Sequence, residues 1–152
     1  MSPAIEQTYT IKEAAALTGL PASTLRYYES IGVIAPITRG ESSKHRVYTA
    51  DDLDLLTWVA CLSATGMSVS DMKKYVANRE GGPSAARDQI ALLTAQRDHL
   101  AREADRLAVR RRYVQLKIDY WSAVEAGDTE RAELLSGEAR SLAGQLKPTK
   151  TT

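Results

Sequence analysis

Residues 23–29, Ser-Thr-Leu-Arg-Tyr-Tyr-Glu, decide how the chain is read. Arg26, Tyr27 and Tyr28 place one cation and two phenols in a single helical turn, a mixture that few cores tolerate. Leu25 is the inward anchor of that turn. Around it, Ser23, Thr24, Arg26 and Tyr28 offer donors suited to phosphate oxygens and base edges, so the turn is built to meet nucleic acid.

Upstream, Tyr9-Thr10-Ile11-Lys12-Glu13 opens a short helix. Thr10 and Glu13 stand at capping-box spacing, Ala14, Ala15 and Leu17 supply apolar positions, and Gly19 ends the helix. Leu20-Pro21-Ala22-Ser23-Thr24 restarts the chain as a second helix, with Pro21 near a first turn where its missing N–H is not needed. Helix, tight glycine turn, helix is the helix-turn-helix arrangement, whose second helix enters the major groove with its N-terminal residues toward the bases. Downstream, Gly32 to Tyr48 reads as a short extended hairpin whose polar tip carries Arg39, Lys44, His45 and Arg46. Charge in a loop is commonly just solvated, but a hairpin directly after a recognition helix can act as a wing that grips the DNA backbone.

Tyr-Thr-Ile-x-Glu-Ala-Ala, Thr-Leu-Arg-Tyr-Tyr-Glu, Ile-Gly-x-Ile-x-Pro, Arg-x-Tyr and Thr-Gly-Met-Ser follow one another between residue 9 and about residue 77. In this order they resemble the MerR family of transcriptional regulators. The resemblance implies a winged helix-turn-helix head followed by two further helices. It also implies an antiparallel dimer that binds between the two promoter hexamers of an overlong spacer and, when activated, bends and underwinds the DNA so that RNA polymerase can engage. On this reading Ser23, Thr24, Arg26, Tyr27 and Tyr28 lie at the groove, and Arg39, Lys44, His45, Arg46 and Tyr48 belong to the wing. Arg26, Lys44 and Arg46 would mainly hold phosphates, while Ser23 and Tyr27 would bear on sequence preference. One position departs from the pattern: many relatives carry glycine where Lys44 stands, which bears on the turn geometry and adds a cation for a phosphate.

The rest of the chain is legible without the family. Thr49 and Asp52 repeat the cap spacing ahead of Leu53, Leu55, Leu56, Trp58, Val59 and Leu62, and Gly66 closes that helix; Ser68 and Asp71 repeat it again ahead of Met72, Tyr75 and Val76. These apolar residues are expected to form a small core with Trp58 as its largest member. Glu80-Gly81-Gly82-Pro83-Ser84 breaks the pattern. The expected division is therefore a head over residues 1–80, a hinge at 81–84, a coiled-coil helix over 85–126, and a short C-terminal helix and tail over 127–152. In the long helix Leu93, Leu100, Leu107, Val114 and Trp121 recur every seven residues, with Ile90, Arg97, Ala104, Arg111 and Ile118 as companion seam positions. At about 1.5 Å rise per residue it runs some 50–60 Å, too long and too narrowly apolar to stand alone. In a parallel homodimer Arg97 and Arg111 would each meet their own copies. Antiparallel pairing sets each against a leucine-type position instead, where its stem covers apolar surface and its guanidinium reaches water or an acid such as Glu103 or Asp105. Two heads related by a two-fold axis call for a pseudo-palindromic operator. The fold class is thus mainly α: a winged helix-turn-helix head, a long antiparallel coiled-coil dimerisation helix and a short C-terminal helix.

Composition limits the function classes. The chain has 152 residues, 43% hydrophobic and 26% charged, with a net charge of +1, which is low for a DNA binder and requires local placement of the cations. No apolar run spans a bilayer and Met1 to Gln7 has no hydrophobic stretch, so cytoplasmic residence without membrane contact is expected. One cysteine and two histidines offer no paired-thiolate metal site, and neither a nucleophile–base pair nor a phosphate-binding glycine loop stands out, so no cofactor, metal or enzymatic activity is expected. Cys61 has two readings: a small residue packed against Trp58 and Leu62, or a thiol that senses electrophiles, as in the aldehyde- and electrophile-responsive, single-cysteine branch of the family. Tyr113, Tyr120 and Trp121 likewise either thicken a core under the tail helix, whose apolar side is read as Leu134, Leu135, Leu142 and Leu146, or line a pocket for a small planar effector. Two other classes remain open: an effector-independent architectural or excisionase-like DNA-bending protein, and a helical scaffold that has lost DNA binding. The final Lys147–Thr152 reads as disordered.

Overall fold

The structure, a computed structural model, describes residues 6–146. The expectations for Met1–Ile5 and for Lys147–Thr152 lie outside the described residues. The chain is mainly α. Strand β1 (Thr8–Tyr9) leads into α1 (Ile11–Thr18) and α2 (Ala22–Ser30); strand β2 (Tyr48–Thr49) leads into α3 (Ala50–Ala64), α4 (Val69–Asn78), α5 (Gly82–Glu125) and α6 (Thr129–Leu146). No helix among the described residues is long and apolar enough to cross a membrane.

Local chemistry sets each boundary. Thr10 Oγ1 accepts from the Glu13 N–H and the Glu13 carboxylate accepts from the Thr10 N–H, so α1 starts in a complete capping box. Gly19 ends α1 at φ 76°, ψ 5°, where its N–H reaches the Ala15 carbonyl. Thr49 and Asp52 make the second capping box at α3, while Ser68 caps α4 by accepting from the Asp71 N–H. β1 and β2 pair antiparallel, Thr8 with Thr49 and Tyr9 with Tyr48, tying the start of α1 to the start of α3.

The head core gathers one face from each element: Ala14 of α1, Leu25 and Tyr28 of α2, Val33, Ile34 and Ile37 of the following loop, Tyr48, Leu53, Leu56 and Val59 of β2 and α3, and Met67 and Met72 around α4. Trp58 is not part of it. The tryptophan is 55% exposed, and Tyr48 is the largest fully buried side chain instead. The reason is angular: Trp58 follows Leu56 by two residues, about 200° round the helix, so burying Leu56 and Val59 turns Trp58 outward.

Contacts cluster into two compact units that divide between Gln96 and Arg97, within α5. The first includes the opening turns of α5, because Gln89 Nε2 donates to the Tyr75 carbonyl at 2.9 Å and Gln96 Nε2 donates to the Thr65 carbonyl at 2.7 Å. Helix α5 starts directly at Gly82, in the stretch read from sequence as a hinge, with Pro83 in its first turn. In the second unit, Gly127 (φ 71°) turns the chain and α6 packs on α5 through Leu116, Ala123, Ala132, Leu135 and Ala139, with Tyr113, Tyr120 and Leu142 at the margin. Three alanines let the two backbones approach closely. Leu134, expected on the apolar side of α6, faces water because Leu135 takes the inward position. The heptad residues of α5 are also exposed in the single chain, from 39% at Leu100 to 64% at Ile90.

Leu56 is fully buried in the head core. Leu56→Ala is expected to lower unfolding free energy by roughly 2–5 kcal/mol, read by chemical denaturation.

Candidate nucleic-acid interface

Helix α2 has two unlike faces. Leu25 and Tyr28 point into the core, and the Tyr28 hydroxyl donates to Ser63 Oγ of α3 at 3.2 Å. Ser23, Arg26, Tyr27 and Ser30 are exposed at helical spacing, forming one continuous polar row that carries a cation and a phenol. Thr24 is half-buried at its edge. Pro21 caps the helix without any side-chain hydrogen bond, so the first turn keeps its backbone donors for an outside acceptor. Tyr28, grouped from sequence with the groove contacts, is a core residue: its ring supports the row from behind and does not belong to it.

The hairpin after α2 is held by few bonds. Gly40 N–H donates to the His45 carbonyl at 2.9 Å, Val47 N–H donates to the Thr38 carbonyl at 2.8 Å, and Arg39 and Arg46 face each other across the two arms. Two opposed guanidinium groups would repel. Glu29, in the last turn of α2, resolves this: its Oε2 accepts from Arg46 Nε at 2.6 Å and its Oε1 accepts from the Ile37 N–H at 3.2 Å. One carboxylate thus joins the end of α2 to both arms of the hairpin. Burial pushes the Glu29 carboxyl upward, but the Arg46 and Ile37 hydrogen bonds and the charges of Arg46 and Arg39 outweigh it, so the group titrates below its ordinary range.

This geometry corrects two wing assignments. Arg46 is not wholly free for phosphate, because its Nε is committed to Glu29 and the side chain is only 19% exposed. Tyr48 has no exposed surface; its ring fills the core beneath the wing and its hydroxyl has no hydrogen-bond partner among the described residues. That burial, ahead of the nearby charges, raises the phenol's pKa above its ordinary value. Arg39, Lys44 and His45 remain exposed at the tip, where Arg39 Nη1 donates to the Lys44 carbonyl at 3.1 Å. Lys44 occupies the left-handed region at φ 59°, alone among the described non-glycine residues. The wing therefore keeps the conformation that glycine favours while presenting a lysine there.

The other candidates separate. Cys61 is an exposed free thiol on α3, in a shallow depression of about 270 Å³ shared with Trp58, Leu62 and Tyr75. It is not packed away as a core residue. Tyr113 and Tyr120 pack at the α5–α6 core, whereas Trp121 stands 63% exposed on the seam with its ring edge-on to Tyr120 at 5.2 Å. A larger hollow of about 500 Å³ between α4 and α5, lined among others by Asp71, Lys74, Asp88 and Leu92, was not visible in the sequence because its walls come from two helices joined across Gly81.

Comparison with known proteins agrees with this geometry. Residues 9–79 match the MerR HTH family regulatory protein family. An uncharacterised HTH-type transcriptional regulator of Haemophilus influenzae is 31% identical over 109 residues, covering 72% of this chain and 78% of that protein. The uncharacterised HTH-type transcriptional regulator YyaN of Bacillus subtilis is 40% identical over 68 residues, or 45% of this chain, and the match spans about half (49%) of YyaN. Among solved structures, HiNmlR, described as a MerR family regulator lacking the sensor domain and bound to promoter DNA, superposes with a TM-score of 0.61 at 28% identity, covering 79% of this chain and 94% of that one.

Two outcomes are expected from the wing. Glu29 contributes stability that is fully present above its unfolded value of about 4.5 and is lost as pH falls through the lower folded value. Thermal melts of wild type and Glu29→Gln should therefore differ most at neutral pH and converge in acid. Lys44→Gly, which relieves the left-handed strain, should raise stability by roughly 0.5–1 kcal/mol relative to Lys44→Ala, the charge-matched control in denaturant titrations.

Proposed function

The chain belongs to the MerR family of helix-turn-helix transcriptional regulators, which bind DNA, and from that premise we propose that it acts as an antiparallel homodimer on a pseudo-palindromic promoter site. The exposed row on α2 carries this reading: Ser23, Thr24, Arg26 and Tyr27 enter the groove, with the bases read from the N-terminal half of the helix. Arg39, Lys44, His45 and the outer nitrogens of Arg46 hold the adjacent backbone. Glu29 fixes the angle between these two gripping elements. With a net charge of only +1, affinity rests on this local cluster, while Asp51 and Asp54 are exposed on α3. The seam of α5 pairs two chains. Arg97 and Arg111 then lie against apolar partners, as the periodicity requires, and the two heads sit about a two-fold axis.

Regulation follows from DNA shape. Two heads held by one paired helix distort the promoter between them, and RNA polymerase responds through the altered spacer and not through a large protein contact. The DNA-reading head ends at residue 80 and the pairing stalk runs from 85 to 126, with Gly82–Ser84 between them already part of α5, and the protein works in the cytoplasm. Cys61 is the sensor: its thiol is exposed, and Trp58 and Tyr75 provide an apolar wall that would hold a small electrophile beside it. An effector-independent, architectural DNA-bending role is the second reading, favoured by the packing of Tyr113 and Tyr120 into the α5–α6 core while Trp121 stands exposed.

The expected result with the protein's own upstream DNA is a salt-dependent affinity whose log–log slope falls by about one per protomer in Arg26→Ala, together with loss of the electrophile response in Cys61→Ser. Promoter distortion that no electrophile alters in wild type would instead establish the architectural reading.

A further inference from the structure

The seam of α5 is exposed along its whole length, yet it is not a uniform apolar stripe. Arg97, Ala104 and Arg111 interrupt one column of it, and charged residues flank it. The ion pairs of α5 within the chain are Arg97–Asp98, His99–Glu103 and Arg112–Glu138; Arg110 and Arg111 have none among the described residues. This uneven pattern restricts how a second copy can lie on it.

We propose that two copies pair antiparallel in a single register, centred between Asp105 and Arg106 and locked by two symmetric ion pairs between Glu103 of each chain and the partner's Arg110. The proposal rests on the homodimer reading and adds the register and the residues that select the partner. In this alignment Ala104 lies opposite the partner's Leu107, Arg97 opposite the partner's Val114, and Ile90 opposite the partner's Trp121. Symmetry repeats each pair, so every seam position meets one from the other column and no arginine meets an arginine. The stems of Arg97 and Arg111 cover apolar side chains while their guanidinium groups reach water.

Sliding by one heptad in either direction is less favourable. One slip pairs each Glu103 with the partner's Lys117, but it brings Arg110 onto the partner's Arg110, sets Leu93 against the partner's Glu125 and leaves Ile90 without a seam partner, so it loses apolar contact at both ends. The other brings Glu103 onto the partner's Glu103. In antiparallel coiled coils the residues just before the first seam position of each heptad face one another, so these flanking charges act together with the apolar seam to set the register. Glu103 and Arg110 are also seven residues apart in one helix, about 10 Å along its axis, too far to pair within a chain. The opposite flank, Ala101 with the partner's Ala108, is small and neutral, and permits close approach.

The test mixes two full-length variants, Glu103→Arg and Arg110→Glu. Each alone sets like charges together twice and should raise the dimer dissociation constant roughly ten-fold in sedimentation equilibrium. Mixed in equal amounts, they are complementary at both ion pairs, so heterodimers should exceed the statistical half of all dimers, as read by native mass spectrometry. Arg106→Glu, on the outer side of the helix, should mix statistically with wild type. Statistical mixing of the two designed variants, with wild type still dimeric, would overturn the register and leave the homodimer standing. A wild type that remains monomeric at every concentration would remove both.

Discussion

The Glu29 carboxylate is the constraint on which the exposed surface of α2 and the hairpin depends. The DNA contacts proposed for α2 and the hairpin need a fixed angle between the two, and one side chain in the last turn of α2 holds both arms of the hairpin. The pairing also removes the repulsion between Arg39 and Arg46, which face each other across the hairpin. Because both partners are largely shielded from water, the interaction is screened less by salt than an exposed pair, and it keeps its geometry under the ionic conditions that weaken phosphate contacts.

The second constraint is that α2 must be apolar on one side and polar on the other within nine residues. Leu25 and Tyr28 meet the first demand. Tyr28 does so through an amphipathic side chain, its ring packed and its hydroxyl satisfied by Ser63. The same economy appears at Lys44, where a charged residue occupies a backbone conformation that favours glycine. The strain is local and small, and the cation it displays stands at the tip of the wing.

Outside the head, the chain uses different faces of α5 for folding and for the proposed pairing. Alanines at Ala123, Ala132 and Ala139 bring α6 close to α5 and use one side of that helix, while the larger seam residues stay exposed on another. A helix with a narrow apolar stripe is marginal in water, and the proposed partner, a second copy, suits its heptad periodicity.

Sequence alone determined what depends on neighbours a few residues apart. The capping boxes at Thr10 and Thr49, the turn at Gly19, the heptads of α5 and the polar row around Arg26 all follow from local hydrogen bonding and helical periodicity, and the ordered motifs between residues 9 and 77 identified the family. Tertiary structure decided which way ambiguous side chains turn. Tyr28 and Tyr48 went inward and Trp58 and Leu134 outward, because amphipathic residues follow whichever neighbour claims the core. It also brought together Glu29 and Arg46, seventeen positions apart, and drew the first turns of α5 into the head through Gln89 and Gln96. Contacts of that kind join separate elements, and no periodicity within a single element encodes them.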